Sequence, residues 1–325
     1  MSVGWIIFIV LASLLLIAII AANIELSLFL SPHGFWAKIF KTKKAQPGND
    51  ILLKEDDLKE KVQTWLEKAK VKNLWTTSFD SLCLHALCIR QKKLSHKWVI
   101  CLHGYSGHFL TVEAFGLEYF NHSYNVLLPD MRSYGKSQGQ STGMGYLEKK
   151  DILEWIKEIL KIDSKAEIVL HGVSMGAACV MMLSGEKLCE NVKCLVSDCA
   201  YTSVWDEFKE IRKNKFHLPA FPMLYLCGLF CKIRKGFFFH QASCTKALSK
   251  CEKPVYMIHG AEDKFVPCKM IIKNYMALKD VKKDWYLLAG TEHAQALYKN
   301  SELYWRKIFS FVDQFVGLPS AAASL

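Results

Sequence analysis

No Cys-x-x-Cys pair occurs in the chain, although it carries twelve cysteines in 325 residues. That absence excludes the usual redox and zinc-ribbon spacings. Cys227 and Cys231 stand four apart, but no histidine or second pair completes a zinc set around them. No zinc site is therefore expected from the cysteines. Many cysteines lie inside apolar runs, as in Trp98-Val99-Ile100-Cys101, where a thiol behaves as a small buried hydrophobe. Free core thiols fit a reducing compartment, and the chain is too long for a small disulfide scaffold. Internal repeats and low-complexity tracts are absent, which excludes solenoid and fibrous classes. The net charge is +11, yet the basic residues are scattered, without the interleaved aromatics of single-strand binders. Nucleic acid is thus not an expected partner, whereas an anionic membrane surface is. Half of the residues are apolar, so the chain folds around a core.

Charge is missing altogether from residues 3–22. An uncharged apolar run of about 20 residues is the length a bilayer requires. Neither Lys nor Arg precedes it, and Ile20-Ala21-Ala22 matches a small-x-small cleavage site poorly, so a cleaved signal peptide is not expected. Residues 1–30 read as a single-pass membrane anchor. Lys38, Lys41, Lys43 and Lys44 follow it, and the positive-inside tendency puts the folded domain in the cytoplasm, as the free cysteines do. Pro32, Gly34, Pro47 and Gly48 break any regular pattern and mark a linker. Ile51, Leu58, Val62, Trp65 and Leu66 then recur at helical spacing, so residues 31–72 read as linker plus amphipathic helix. That helix is expected to lie on the folded domain rather than on the membrane.

From residue 73 to 318 short apolar runs alternate with helical stretches, and a tail follows at 319–325. Strands are expected at 74–79, 82–89, 98–102, 125–128, 167–171, 193–197, 255–259 and 285–289. Helices are expected at 146–162, 175–186, 269–278 and 295–316. An opening antiparallel pair followed by strand–helix alternation is the pattern of an α/β protein. It predicts a mostly parallel eight-stranded sheet with helices on both faces. Ligands bind such a sheet at the carboxyl ends of its strands, and the candidate motifs cluster there.

Gly172-Val173-Ser174-Met175-Gly176 lies where the strand Glu167-Ile168-Val169-Leu170-His171 turns into a helix. A serine on such a turn takes a strained backbone, and its neighbours two positions away must lack bulk. Ser174 is the expected nucleophile. The Met175 N–H opens the helix and is placed to receive a developing oxyanion. A second donor is expected from Leu102-His103-Gly104-Tyr105-Ser106-Gly107, with the Tyr105 N–H as candidate. His103 reads as a structural histidine at a strand end. A hydroxyl needs a positioned base, and the base needs a third group to fix its tautomer. Asp263 and His293 each follow a strand end, in the chain order serine, acid, histidine. Glu262 adjoins Asp263, but Asp263 keeps the better distance from Gly260. Asp198 is the reserve acid or a structural carboxylate.

These residues resemble the α/β-hydrolase superfamily, most nearly bacterial membrane-anchored hydrolases of the serine aminopeptidase, monoglyceride-lipase and dienelactone-hydrolase branches. The resemblance spans residues 73–316. It is carried by His103-Gly104, by Asp130 to Gly139, by Gly172 to Gly176, by Ser197-Asp198, by Gly260 to Pro267 and by Gly290 to His293. It implies hydrolysis through an acyl-serine intermediate without metal or organic cofactor, and a structural role for the Asp130–Gly139 stretch. The loop at residue 104 lacks the Gly-Gly-Gly form of some esterases, so the role of Tyr105 transfers less directly. In this fold an insertion such as residues 201–253 forms a helical cap. Here it is rich in aromatic and basic residues, among them Phe216, Phe221, Tyr225, Phe230 and Phe237. An apolar cap on a tethered chain points to lipophilic acyl esters, such as lysophospholipids or monoacylglycerols. An aminopeptidase-type amide hydrolase, or a catalytically silent binding protein on the same fold, are the other readings.

Overall fold

A computed structural model describes residues 2–32, 50–105 and 109–317 of the chain. The expected linker at 33–49 with its four lysines, Ser106 and Gly107, and the tail at 319–325 lie outside the described residues. Eight strands form one sheet: β1 (Val71–Thr77), β2 (Cys83–Ile89), β3 (Lys97–Leu102), β4 (Asn125–Pro129), β5 (Glu167–Val173), β6 (Val192–Asp198), β7 (Val255–Gly260) and β8 (Lys283–Leu288). Their order is β1-β2-β4-β3-β5-β6-β7-β8. Only β2 runs against its neighbours; β3 to β8 pair in parallel. The expected mostly parallel eight-stranded sheet is therefore present. β1 begins at Val71, two residues before the expected domain start, because Val71 and Lys72 continue the register opposite Ile89 and Cys88.

The central strands are covered on both faces, so each reads as a continuous apolar run rather than an alternating one. On β3, Trp98, Ile100 and Leu102 face one core and Val99 and Cys101 face the other. The first core is closed by α4 (Glu148–Ile162), which buries Ile152, Trp155, Ile156 and Ile159 at helical spacing. It also holds α5 (Met175–Leu183), all of whose residues are buried. The second core is closed by α3 (Phe109–Asn121), in a stretch where no element was expected, through Phe115 and Tyr119. The helix expected over 295–316 divides into α10 (Ala296–Lys299) and α11 (Ser301–Val312). Asn300 separates them, its side chain accepting the Leu303 N–H and capping the second helix. α2 (Asp50–Lys68) lies on the folded domain, as expected: Val62 and Trp65 are buried, and the Trp65 ring packs 5.5 Å from that of Phe120.

The insertion between β6 and β7 is a helical cap of α6 (Val204–Phe216), α7 (Met223–Lys235) and α8 (Cys244–Leu248). The last helix before β8 is α9 (Lys269–Ala277). The apolar N-terminus is one helix, α1 (Val3–Leu30), long and apolar enough to cross a membrane. Residues 3–17 of α1 are exposed, whereas Ala22, Leu26, Phe29 and Leu30 are buried against the folded domain. The expected division between a separate anchor at 1–30 and the domain therefore falls inside this helix. Phe29 stacks on Phe208 of α6 at 4.2 Å between ring centroids. Arg212 pairs with Glu25, Cys227 donates to the Ala22 carbonyl, and the Thr142 N–H donates to the Leu30 carbonyl at 2.9 Å.

Candidate active site

The turn from β5 into α5 carries Ser174 with φ +56° and ψ −117°, a conformation costly for a residue with a side chain. The chain can make this turn because its flanks are bare. A side chain on Gly172 would begin 2.3 Å from the Gly176 carbonyl, and one on Gly176 would begin 2.1 Å from the Leu102 oxygen. Both distances are far inside contact. The Ser174 N–H donates to the Asp198 carbonyl at 2.8 Å, which ties the elbow to the end of β6.

Three loops from the carboxyl ends of β5, β7 and β8 converge here. His293 Nε2 lies 2.9 Å from Ser174 Oγ, and His293 Nδ1 lies 2.6 Å from Asp263 Oδ2. The other Asp263 oxygen accepts the N–H groups of Phe265 and Val266, each at 2.8 Å, and His259 Nε2 lies 3.2 Å from Oδ2. Burial alone would raise the Asp263 carboxyl. The imidazoles of His293 and His259 outweigh it and hold the group well below the usual carboxylate range. An ionised Asp263 requires the proton on His293 Nδ1, leaving Nε2 to accept from the Ser174 hydroxyl. Serine, imidazole and carboxylate thus stand in the order that lets a base deprotonate a hydroxyl.

The other two acids of the rim make different contacts. Asp198 Oδ2 accepts from the Tyr304 hydroxyl at 3.0 Å, and its other oxygen has no hydrogen-bond partner. Burial pushes its carboxyl up to about 6 against the opposing influence of Tyr304, His259 and His293. Glu262 contributes its N–H to the Thr291 carbonyl at 3.0 Å, joining the two loops. His103 is structural, as expected: its Nε2 accepts from the Met131 N–H at 3.1 Å and its Nδ1 meets the Gly104 carbonyl at 2.8 Å. Burial lowers its pKa.

Gly104 lies against the elbow, 3.2 Å separating the Ser174 Cβ from where a side chain on residue 104 would begin. Tyr105 follows it, and its hydroxyl donates to the Ser31 carbonyl at 2.6 Å. The Tyr134 hydroxyl donates to the Tyr105 carbonyl at 2.6 Å. The Met175 N–H belongs to the first turn of α5, where N–H groups have no helical acceptor. Met175 thus follows Ser174 directly, and Tyr105 follows the glycine that lies against it.

Three neighbours of the site were not singled out by the sequence. Cys199 Sγ lies within 4.8 Å of ligand atoms of both Asp263 and His293. Burial, with the charges of Asp198 and Asp263 adding to it, pushes its thiol well above the usual cysteine range. The Phe265 ring packs 4.9 Å from that of His293 and borders a cavity of about 30 Å³. Met144, Phe208, Ile211 and Phe29 of α1 line the same cavity. So does Glu207, which is buried with neither carboxylate oxygen hydrogen-bonded. Burial, with Asp263 and Glu210 adding to it, pushes the Glu207 carboxyl well above the usual range. The spacing Val204, Glu207, Phe208, Ile211 puts it on the buried face of α6. That spacing is legible in the sequence, but the acidic residue type argues the other way.

Residues 130 and 132 are held by side-chain pairs. Arg132 pairs with Asp151 at 2.6 Å and with Asp80 at 2.9 Å, and His85 Nδ1 meets Asp130 at 2.7 Å. These pairs tie the Asp130–Gly139 stretch to β2 and α4.

The profile of the family described as alpha/beta hydrolase fold matches residues 97–218, from β3 through α6. The chain has the α/β-hydrolase fold. The matched segment includes the elbow but ends before Asp263 and His293, so their assembly is a property of this chain's own geometry. Uncharacterized protein YqkD of Bacillus subtilis (strain 168) is 27% identical over 216 residues, covering 66% of this chain and 70% of YqkD. Among solved structures, the esterase Pf2001 of Pyrococcus furiosus is similar with a TM-score of 0.61 at 22% identity, over 81% of this chain and 95% of that one. The acylaminoacyl peptidase of Pyrococcus horikoshii gives 0.56 at 16% identity, over 80% of this chain and 45% of that one. At these identities the likeness shows a shared α/β-hydrolase fold.

Proposed function

We propose that this chain is a serine hydrolase that cleaves lipophilic carboxylic esters while held at a membrane by α1. Ser174 Oγ attacks the ester carbonyl as His293 Nε2 takes its proton, and Asp263 stabilises the imidazolium that forms. The N–H groups of Met175 and Tyr105 receive the oxyanion. His293 then protonates the departing alcohol, leaving an acyl-Ser174 that water hydrolyses by the same route in reverse. The chemistry uses no metal and no organic cofactor. The carrying observation is the continuous relay of Ser174 Oγ, His293 and Asp263 at 2.9 and 2.6 Å. The preference for apolar acyl groups is supported by the lining of the adjacent cavity, in which Phe29, Phe208, Ile211 and Phe265 predominate. The esterase likeness of the fold agrees with this reading without choosing a substrate. α1 supports the anchor reading, and the free thiols and following lysines support a cytoplasmic catalytic domain.

A fluorophosphonate probe tests the nucleophile. Labelling is expected in the native chain and in Ser310→Ala, an exposed control on α11, and is expected to vanish in Ser174→Ala. Labelling that survives Ser174→Ala rejects the assignment. With p-nitrophenyl esters, kcat/KM is expected to rise with acyl length; a flat or falling series rejects the lipophilic preference but not the hydrolase.

A further inference from the structure

α7 is apolar on the wrong side for a cap helix. Its buried face, Leu224, Cys227, Gly228 and Cys231, is turned to α1 and the cap interior. The opposite face repeats every four residues, from Phe221 just before the helix through Tyr225 and Leu229 to Ile233, and these are 72%, 57%, 45% and 69% exposed. A four-residue repeat is one stripe along a helix. Leu218, in the loop leading in, is 49% exposed as well. Basic residues gather at the far end of the helix, at Lys232, Arg234 and Lys235.

The position of this stripe along α1 identifies what covers it. Residues 3–20 of α1 hold no buried residue: 3–17 are exposed, and only Ala18 and Ile19 are half-buried. At 1.5 Å per residue they span about 27 Å, close to the ~30 Å hydrocarbon thickness of a bilayer. The water–lipid boundary therefore falls near Ala22 and Asn23. That is the level at which α7 crosses: Cys227 Sγ donates to the Ala22 carbonyl, and Arg234 donates to Asn23 Oδ1 and Ser27 Oγ, each at 2.9 Å. Ile24, on the same level of α1, is 56% exposed.

We propose that the outer face of α7 lies in the bilayer interface beside α1, with Phe221, Tyr225, Leu229 and Ile233 among acyl chains and Lys232 and Lys235 at anionic headgroups. An apolar face with a basic end is the composition of helices that lie in that plane. The inference rests on the reading that α1 crosses the membrane. The bilayer, rather than a protein partner or a second copy, is the occupant because α7 meets α1 at Ala22, Asn23 and Ser27, where the exposed apolar span of α1 ends.

The test uses the full chain in nanodiscs of phosphatidylcholine and phosphatidylglycerol, with the exposed Cys83 and Cys189 changed to Ser. Nitroxide labels go singly on Leu229→Cys, Ile233→Cys, Leu11→Cys as a membrane control and Lys250→Cys as a water control. Fluorophosphonate reaction checks that each variant is folded. Relaxation by oxygen is compared with relaxation by a water-soluble nickel chelate. The labels at 229 and 233 are expected to shift toward oxygen, between the values at 11 and 250. Values at 229 and 233 equal to that at 250, with 11 lipid-exposed, overturn this inference and leave the anchor standing. A water-exposed label at 11 overturns the anchor reading and this inference with it. Spin–spin broadening at 229 or 233 overturns it in favour of contact with a second copy.

Discussion

Asp198 and Asp263 are buried on the same rim, yet their carboxyls are displaced in opposite directions. The difference lies in their partners. Asp263 collects two backbone N–H groups and two imidazoles; Asp198 has one hydroxyl and a bare oxygen. Replacing Asp263 by Asn leaves the shape but favours the wrong imidazole tautomer, and kcat is expected to fall by about 10⁴. Steady-state kinetics on a p-nitrophenyl ester measures this. Because its carboxyl is depressed in the folded state, Asp263 adds stability above the ordinary carboxylate pKa. That contribution is lost as pH falls through the lower folded value. Asp198 behaves inversely. Raised from 3.8 to about 6, it binds a proton more tightly folded than unfolded, so stability declines as pH rises from ~4 to ~6 and stays reduced above. The full difference corresponds to about 3 kcal/mol. Asp198→Asn is therefore expected to lose this decline, being more stable relative to the native chain at pH 7 than at pH 4. Denaturant midpoints at the two pH values read the difference, and parallel midpoints would refute it.

At the scale of elements, α1 has two parts with different work. Residues 3–17 are exposed and Ala18 and Ile19 half-buried, whereas Glu25 and Phe29 meet Arg212 and Phe208 of the cap. Deleting residues 2–20 is expected to leave a folded hydrolase that reacts with fluorophosphonate and no longer sediments with membranes. Deleting residues 2–30 removes Phe29 from its stack on Phe208 and leaves Arg212, buried on α6, without Glu25. Losing a buried aromatic alone costs roughly 3–5 kcal/mol. The longer deletion is therefore expected to lower the melting temperature and to blunt acyl-chain discrimination. Equal behaviour of the two truncations would show that the docking contributes nothing.

The same contrast explains what sequence reading reached. Sheet, elbow and relay were legible because each rests on local signals: apolar runs, glycines flanking Ser174, and acid and base after successive strands. The division at Asn300 was missed because both sides carry one apolar period, and only the cap side chain breaks it. α3 was missed as an element, although its Phe115 and Tyr119 fill a core. The docking of α1 could not be read at all. Phe29 meets Phe208, and Glu25 meets Arg212, across most of the chain, and no spacing rule links such distant pairs.

For the whole molecule, the proposed arrangement puts hydrolase and lipid ester in one membrane. An ester carried in the same nanodisc is then encountered at a high local concentration, whereas one in a separate vesicle is not. Hydrolysis of a membrane-resident ester is expected to be at least about tenfold faster in the shared disc at equal bulk concentration. Equal rates in the two arrangements would show that the substrate is drawn from solution.

The seating of Glu25 and Phe29 in the cap makes α1 a mast and not a leash. A flexible tether would let the pocket sweep a hemisphere and reach molecules far from the surface. Under the proposed anchoring, a helix that runs unbroken from its apolar segment into the cap sets the height and tilt of Ser174 above the bilayer, and so rations which bonds it can meet.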